Sequence, residues 1–201
     1  LDCPEENNES VFDNYTVTTL AGSGQIGSVN GTGMGASFYS PYGIAADSSG
    51  NVYVGDWANR IIRKITSEGV VTTFAGSGQN GSANGTGTAA SFGKPRGLAV
   101  DSNGYVYVTD SDNHLIRKIS SEGVVTTLAG SGSIGSADGE GLTASFNVPM
   151  DVAVDKSGNV YVADHTNQLI RKITSEGVVT TLAGSGQVGS ADGTGTAASF
   201  N

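Results

Sequence analysis

Three aspartates and three arginines recur along the chain at one fixed spacing, with each aspartate seven residues before its arginine. The pairs are Asp56 and Arg63, Asp110 and Arg117, and Asp164 and Arg171. Each arginine has an apolar residue two positions away on either side, so it shares the apolar face of its predicted strand. A charge on such a face needs an opposite charge as its partner. We therefore predict three structural ion pairs and no catalytic set.

Other residue types that perform chemistry lack a supporting pattern. The two histidines, His114 and His165, occupy non-equivalent positions and have no cysteine near them, which is unlike a zinc site. Asp138-Gly139-Glu140 resembles part of a calcium loop, but the copies at 30–32 and 84–86 read Asn-Gly-Thr and lack carboxylates. No serine or cysteine has a base at a recognisable spacing. We expect no metal, no cofactor and no enzymatic activity.

The spacing belongs to an internal repeat. Ala-Gly-Ser-Gly begins at Ala21, Ala75, Ala129 and Ala183, so the period is 54 residues. Each repeat holds four short runs rich in Val, Ile, Leu, Tyr and Thr, separated by Gly, Asn, Asp and Ser. This pattern is typical of antiparallel strands in a meander. Each repeat is therefore expected to be one four-stranded sheet.

The second strand of each repeat, such as Tyr105-Val106-Tyr107-Val108, is apolar on both faces, so it must be covered on both sides. Face-to-face stacking of such sheets predicts an all-β fold, a β-propeller; a linear β-solenoid would use shorter repeats. We predict a flexible acidic lead-in at 1–14 and a propeller segment at 15–201. The propeller segment begins with an outer strand at 15–21 that completes another blade and ends with a loop toward a next blade at 184–201. Between them lie three complete blades, at about 42–75, 96–129 and 150–183.

One segment carries a family resemblance. Asn113-His114-Leu115, within the run 112–119 and after the strands at 95–101 and 104–108, resembles the NHL repeat, which is named for this triplet. The other copies read Asn59-Arg60-Ile61 and Asn167-Gln168-Leu169, and the glycine-rich loop makes the repeat longer than usual for a blade. The resemblance implies a propeller, commonly of six blades, and often a binding surface. Some relatives with this fold are lyases that use several metal-binding histidines, whereas this chain has two.

Residues that differ between the repeats are those that the repeated framework does not dictate. They fall in the turns after the second strands or at the start of the first strands, on one predicted face or beside the central channel. Drift in unconstrained surface loops would give the same variation, although exposed aromatic residues favour interfaces. The candidates for a ligand-binding face are Trp57, Tyr42, Arg60, Arg96, His114 and His165.

Charge and composition restrict the partners and the compartment. A net charge of −9 with no basic cluster argues against nucleic acid, and no apolar run approaches the roughly 20 residues that span a bilayer. Cys3, the single cysteine, is either a free thiol or a link to another chain. The acidic start does not resemble a signal peptide, but a mature secreted chain would look the same. Five Asn-x-Ser/Thr triplets, which also arise by chance in such a composition, favour a glycosylated extracellular or cell-surface protein: Asn8, Asn14, Asn30, Asn80 and Asn84.

Three blades and one strand are too few to close a ring of the usual size. We expect the end blades to meet other copies of the chain or further blades of a longer chain, because bare apolar faces promote aggregation. Two copies could form a six-bladed ring, or the ends could stack without closing and form a filament. The function predicted first is a non-catalytic extracellular scaffold that binds a protein or a glycan. The alternatives are a self-assembling subunit of an extracellular filament and, less favoured, a lyase-type enzyme.

Overall fold

The computed structural model describes residues 16–201. These residues form three antiparallel sheets joined by loops and single 3₁₀ turns. The strands of sheet 1 are β1 (Gly31–Thr32), β2 (Pro41–Ala46), β3 (Val52–Asp56), β4 (Ile61–Ile65) and β5 (Val70–Ala75). Those of sheet 2 are β6 (Gly85–Thr86), β7 (Pro95–Val100), β8 (Val106–Asp110), β9 (Leu115–Ile119) and β10 (Val124–Ala129). Those of sheet 3 are β11 (Gly139–Glu140), β12 (Pro149–Val154), β13 (Val160–Asp164), β14 (Leu169–Ile173) and β15 (Val178–Ala183).

The strand order is the same in every sheet. In sheet 1 it is β1-β5-β4-β3-β2, so four consecutive strands form a meander with β2 at one edge. The first strands of neighbouring sheets, β2, β7 and β12, lie side by side. The three sheets therefore stack as adjacent blades, and the all-β blade architecture predicted from the sequence is confirmed.

Turn residues explain why the strands reverse where they do. Asp47 Oδ1 accepts hydrogen bonds from the amides of Ser49 and Asn51, both at 2.9 Å, and fixes the turn between β2 and β3. Gly50 closes that turn with a φ of +80°, in the left-handed region that favours glycine. The turn between β4 and β5 ends in the same way at Gly69. These positions recur in every repeat, so each blade reverses at the same points.

The structure corrects the predicted strand content at two places. Each sheet has five strands and not four, because a two-residue strand in the glycine-rich loop before the sheet pairs with its outer strand, as Thr32 does with Val70. Residues 16–20 carry no strand, although an outer strand was predicted at 15–21. A strand needs a neighbour for its backbone hydrogen bonds, and the other blade that this segment was predicted to complete is not among the described residues, so that pairing stays a prediction. The lead-in at 1–14, Tyr15 and Cys3 lie outside the described residues.

The core lies between the blades. One apolar cluster joins sheets 1 and 2, at what we call the first junction, and another joins sheets 2 and 3, at the second junction. One repeated position shows how stacking buries apolar side chains. Ile62 and Ile116 are fully buried, whereas the equivalent Ile170 of sheet 3 is only half-buried. On the other side of the stack, Ile44 is 67% exposed while its equivalent Leu98 is 6% exposed. The two end faces are thus apolar surfaces that no blade covers in the described residues.

Neighbouring first strands approach so closely that only glycine fits. A Cβ atom on Gly43 would collide with the backbone carbonyl of Arg96, and one on Gly97 would lie 2.5 Å from Asp151 Cα. In the third blade the equivalent position is Asp151, which is exposed. A further blade cannot pack against sheet 3 in the geometry of the first two junctions without moving away from this side chain.

Candidate functional site

The buried arginine of each blade holds the glycine-rich loop that precedes that blade; we call residues 22–40, 76–94, 130–148 and 184–200 the glycine loops. Arg63 Nη1 lies 3.1 Å from Asp56 Oδ2, and both side chains are fully buried. The same nitrogen donates to the carbonyl of Ser37, and Nη2 donates to the carbonyl of Val29 and to Asn30 Oδ1. One guanidinium therefore joins the centre of the sheet to the middle of its loop and to the part of the loop near its C-terminal end.

The arrangement is repeated in the other blades. Arg117 pairs with Asp110 at 3.0 Å, and Arg171 with Asp164 at 2.9 Å. An aromatic ring packs beside each guanidinium, as Phe92 does at 5.3 Å from Arg117 Cζ, which is cation–π geometry. The structure thus brings together the aspartates and arginines that the sequence paired, and the role of these charges is to fix loop against sheet.

Burial and hydrogen bonding act on the aspartate in opposite directions. Burial raises the pKa of Asp110, while hydrogen bonds from Asn113 and the charge of Arg117 lower it. Its Oδ1 also accepts the amide of Gly93 at 2.8 Å. Its Oδ2 accepts from Asn113 Nδ2 at 2.8 Å and from Arg117 Nη1 at 3.0 Å, so both oxygens accept hydrogen bonds within the blade.

Sequence reasoning missed the acceptor at the loop end of this network. Asn30, Asn84 and Asp138 accept from Nη2 of the arginine in their blade at 2.9, 2.8 and 2.7 Å. Their common phase in the repeat was a signal for this role. Asp138, the residue that resembles part of a calcium loop, belongs to the same network, because its carboxylate forms an ion pair with Arg171. Residues 16–201 hold no group of three or more His, Cys, Asp or Glu side chains placed to bind a metal.

The structure brings three of the six ligand-face candidates together at the first junction. Tyr42 and Trp57 belong to blade 1, and Arg96 extends from β7 of blade 2. The Arg96 guanidinium lies 5.5 Å from the Tyr42 ring centroid and 5.9 Å from that of Trp57. Lys94, which sequence reasoning did not select, places Nζ 4.8 Å from the Trp57 ring. We call these four residues the Trp57 cluster.

The charges of this cluster are only partly balanced. Lys94 Nζ lies 3.2 Å from Asp112 Oδ2, and both side chains are partly exposed. Within the described part of the chain, no carboxylate forms an ion pair with Arg96. Arg96 Nε and Trp57 Nε1 are buried and have no hydrogen-bond partner among residues 16–201. The Nε atoms of Arg63, Arg117 and Arg171 also have no partner among these residues, so this feature is not specific to the cluster.

The second junction shows what the framework itself requires at these positions. The residues equivalent to Trp57, Lys94 and Arg96 are Ser111, Val148 and Met150. Ser111 is buried and donates from Oγ to the carbonyl of Pro149 at 2.5 Å. The fourth equivalent, that of Tyr42, is Arg96 itself, which contacts Met150. At these four positions the second junction therefore holds one cation and no aromatic ring.

The remaining candidates are dispersed. His114 lies at the second junction, where its Nδ1 accepts the amide of Val148 at 3.1 Å. His165 is exposed beside the open face of sheet 3, next to an apolar cavity of about 180 Å³ that includes Met150 and Phe200. Arg60 of blade 1 is equivalent to His114 of blade 2. Because His114 lies at the second junction, the repeat puts Arg60 at the first junction, at the edge of the Trp57 cluster.

The sites predicted for glycosylation divide into two groups. Asn30, Asn80 and Asn84 lie in glycine loops and are exposed. At Asn30 and Asn84 the arginine occupies Oδ1 and leaves Nδ2, the atom that carries a glycan, outside that contact. Asn8 and Asn14 lie outside the described residues. Residues 16–201 also contain no helix with the length and apolarity needed to cross a bilayer.

Comparison with known proteins agrees with the repeat and the fold. A family profile described as "Teneurin NHL domain" matches residues 78–148 and 135–201. The protein SUPPRESSOR OF QUENCHING 1, chloroplastic, of Arabidopsis thaliana is 32% identical over 176 residues, which are 82% of this chain and 17% of that protein. Teneurin-4 of Homo sapiens is 29% identical over 180 residues, which are 82% of this chain and 6% of that protein.

A similar solved structure is a structural genomics protein of unknown function from Bacteroides thetaiotaomicron. Its TM-score is 0.65 at 26% identity, with 80% of this chain and 40% of that chain covered. This chain thus spans less than half of each of the proteins that it resembles here. The profile covers more than half of this chain, and the resemblance expected from the Asn-His-Leu triplet is confirmed. The chain belongs to the NHL-repeat β-propeller family.

Proposed function

We propose that this propeller segment is a non-catalytic interaction scaffold and that the Trp57 cluster is its ligand-binding surface. The observation that carries the proposal is the difference between the two junctions. At the four equivalent positions the second junction has one cation and no aromatic ring, namely Arg96, Ser111, Val148 and Met150, whereas the first junction has two aromatic rings and two cations. Aromatic residues and arginine are enriched where proteins bind partners.

A non-catalytic role is supported by how the reactive groups are used. The buried carboxylates Asp56, Asp110 and Asp164 are each held by an arginine. The two histidines lie at different places in the stack, one bonded to a backbone amide and one exposed. A lyase of the kind that uses several histidines would need them together.

An extracellular or cell-surface location is part of the proposal. It is supported by the exposure of Asn30, Asn80 and Asn84, each in a sequon within a surface loop. Mass spectrometry of the protein from its native source tests this location. Glycan on any of the three asparagines supports it, and unmodified asparagine at all three contradicts it.

The binding role is tested with a variant that copies the second junction into the first. In Trp57→Ser/Lys94→Val/Arg96→Met, each new residue is already accepted at the equivalent position of blades 2 and 3. Labelled wild-type protein and this junction-copy variant are applied to a printed glycan array and to an array of purified secreted proteins. Lys156→Met, which removes an exposed charge elsewhere, is the control.

We expect at least one array component to bind wild type and Lys156→Met equally and to lose binding to the junction-copy variant. If every component that binds wild type binds the junction-copy variant equally well, the Trp57 cluster is not the binding surface. If nothing on either array binds wild type above background, the scaffold role fails.

A second candidate function, self-assembly through the end blades, is favoured by the two open end faces. Ile44 is 67% exposed on one face and Leu182 is 46% exposed on the other. These faces correspond to the two sides of each internal junction, so a second copy could cover them head to tail. Further blades of a longer chain would cover them equally well. Asp151 occupies the position of Gly43 and Gly97, so the two first strands at the new junction would have to lie further apart than at the other junctions.

Sedimentation velocity separates these arrangements. Under the self-assembly proposal, wild type forms a discrete dimer or long polymers at micromolar concentration, and Ile170→Glu restores a monomer by charging the open face of sheet 3. Asp151→Gly strengthens association, because it removes the obstructing side chain. A wild-type monomer at every concentration, unchanged by either substitution, contradicts self-assembly.

A further inference from the structure

We propose that the Trp57 cluster binds an acidic sugar, with Lys94 and Arg96 holding its carboxylate and the exposed ring of Tyr42 packing against the sugar face. This inference rests on the proposed function and names the class of ligand for the same surface. It follows from the charge, the exposure and the shape of the cluster, taken in turn.

The charge of the cluster calls for an anion. Two cations lie within 6 Å of the same indole ring, at 4.8 Å for Lys94 Nζ and 5.9 Å for Arg96 Cζ. Two cations at one ring make this surface locally positive and favourable for an anion. Asp112 offsets Lys94, but Arg96 has no carboxylate partner in residues 16–201, although the chain has 19 acidic and 10 basic residues. The one side-chain hydrogen bond of the Arg96 Nη atoms in these residues is to Met150 Sδ, a weak acceptor. A planar guanidinium can exchange such a contact for two parallel hydrogen bonds to a carboxylate.

The net charge of the protein limits how highly charged that ligand can be. At −9 the molecule repels polyanions. A carboxylate bound at the cluster is shielded from the more distant acidic residues, since the Debye length in physiological salt is about 8 Å. The site therefore suits a short acidic oligosaccharide, which carries few negative charges, better than a densely charged polymer.

The shape of the surface suits a sugar ring. Tyr42 is 61% exposed, and the electron-rich face of an aromatic ring attracts the weakly positive C–H groups of a pyranose. Beside it lies an open cavity of about 380 Å³, lined by Tyr42, Met150 and Asp151 among others. That volume is in the range of small-molecule sites. The cavity lining does not include Lys94 or Arg96, so it would hold a neutral part of the sugar, whose hydroxyls can donate hydrogen bonds to Asp151 at the cavity wall.

Trp57 provides a direct readout, because it is the only tryptophan in the chain. Its fluorescence is titrated with tri-galacturonate and with the neutral trisaccharide of galactose. We expect a saturable change with tri-galacturonate and an affinity at least tenfold lower for the neutral sugar. A galactose trisaccharide that carries sulfate in place of carboxylate distinguishes the two sources of negative charge, and an acidic tripeptide tests a peptide ligand.

Matched variants assign the binding to the cluster. Lys94→Val/Arg96→Met keeps the Trp57 reporter and should lose at least tenfold in affinity for tri-galacturonate, whereas Lys156→Met should bind as wild type does. Equal affinity for acidic and neutral sugar, tighter binding of the sulfated sugar or the acidic peptide, or no saturable change with tri-galacturonate would each overturn the proposal. Loss of a neutral ligand in the junction-copy variant would leave the proposed function standing while this inference fails.

Discussion

The guanidinium of Arg117 lies 3.0 Å from the carboxylate of Asp110, and both side chains are shielded completely from solvent. The pair joins β8 to β9, and its remaining donors reach the backbone of Ser91 and the side chain of Asn84 in the glycine loop. Ordering a loop of this length costs considerable conformational entropy, and these contacts offset that cost. Each blade repeats this solution, which explains why the loop keeps one shape despite its many glycines.

Removing the arginine should therefore be severe. Arg117→Met leaves a buried aspartate without its cation and is expected to lower the free energy of unfolding by about 3–5 kcal/mol. Urea denaturation measures the change, with the exposed Lys156→Met as a control expected to stay within about 0.5 kcal/mol of wild type. A loss below about 1 kcal/mol for Arg117→Met would show that the pair does not hold the loop.

The close approach of neighbouring first strands predicts a glycine requirement at the first strand of blade 2. Gly97→Ala places a methyl group against the backbone of Asp151 and should cost about 1–3 kcal/mol, as overpacking in a tight interior does. Gly35→Ala is the matched control, because a Cβ atom there meets nothing within 4 Å. Thermal unfolding compares the two variants. Equal melting temperatures would mean that the blades are not packed as closely as described.

The uncovered face of sheet 3 makes a prediction at a single repeated position. Ile116→Ala, between two blades, should cost about 2–5 kcal/mol, and Ile170→Ala on the open face should cost clearly less. Urea denaturation of the two variants at low protein concentration measures both. Equal losses would show that another copy covers the open face under those conditions.

Asp155 gives the protein a specific response to acid. The side chain of Asn159 donates to Asp155 Oδ2 at 2.8 Å and, with further hydrogen bonds from Tyr161 and two backbone amides, lowers the pKa of Asp155 to about 2. An unfolded aspartate titrates near 3.9. Because the folded pKa is the lower one, the stabilisation is complete above the unfolded pKa and is lost as the pH falls toward 2.

An NMR titration of the Asp155 carboxyl carbon tests this response. The midpoint should lie near pH 2 in wild type and should move up toward 3.9 in Asn159→Ala, which removes the side-chain donor. Lys156→Met, in the same turn but without a hydrogen bond to Asp155, should move the midpoint much less than Asn159→Ala does. A wild-type midpoint near 3.9 would contradict the hydrogen-bonded turn.

The 54-residue repeat made the blades and the aspartate–arginine spacing predictable, because strands and turns leave local patterns. The short strand at Gly31–Thr32 could not be predicted, since two residues carry no periodicity and their pairing depends on where the loop returns. Asn30 illustrates the same limit, because its phase in the repeat was visible but the arginine that contacts it lies 33 residues away.

The candidate surface was predictable only in part. Trp57, Tyr42 and Arg96 stood out as departures from the repeat, and the structure places them together. Lys94 was missed although it also departs from the repeat. Its contact with Trp57 crosses a junction between blades, and a one-dimensional pattern contains no information on which residues face each other across a junction.

The central claim is that the repeated framework makes the fold and that the Trp57 cluster is additional to it. The most direct test is the free energy of unfolding of Trp57→Ser/Lys94→Val/Arg96→Met in urea. The account predicts a value within about 1 kcal/mol of wild type, because the second junction is stable with those residues and the new serine can repeat the hydrogen bond of Ser111. A loss of more than about 3 kcal/mol, the cost of removing a core residue, would show that the cluster is part of the core and would contradict the claim.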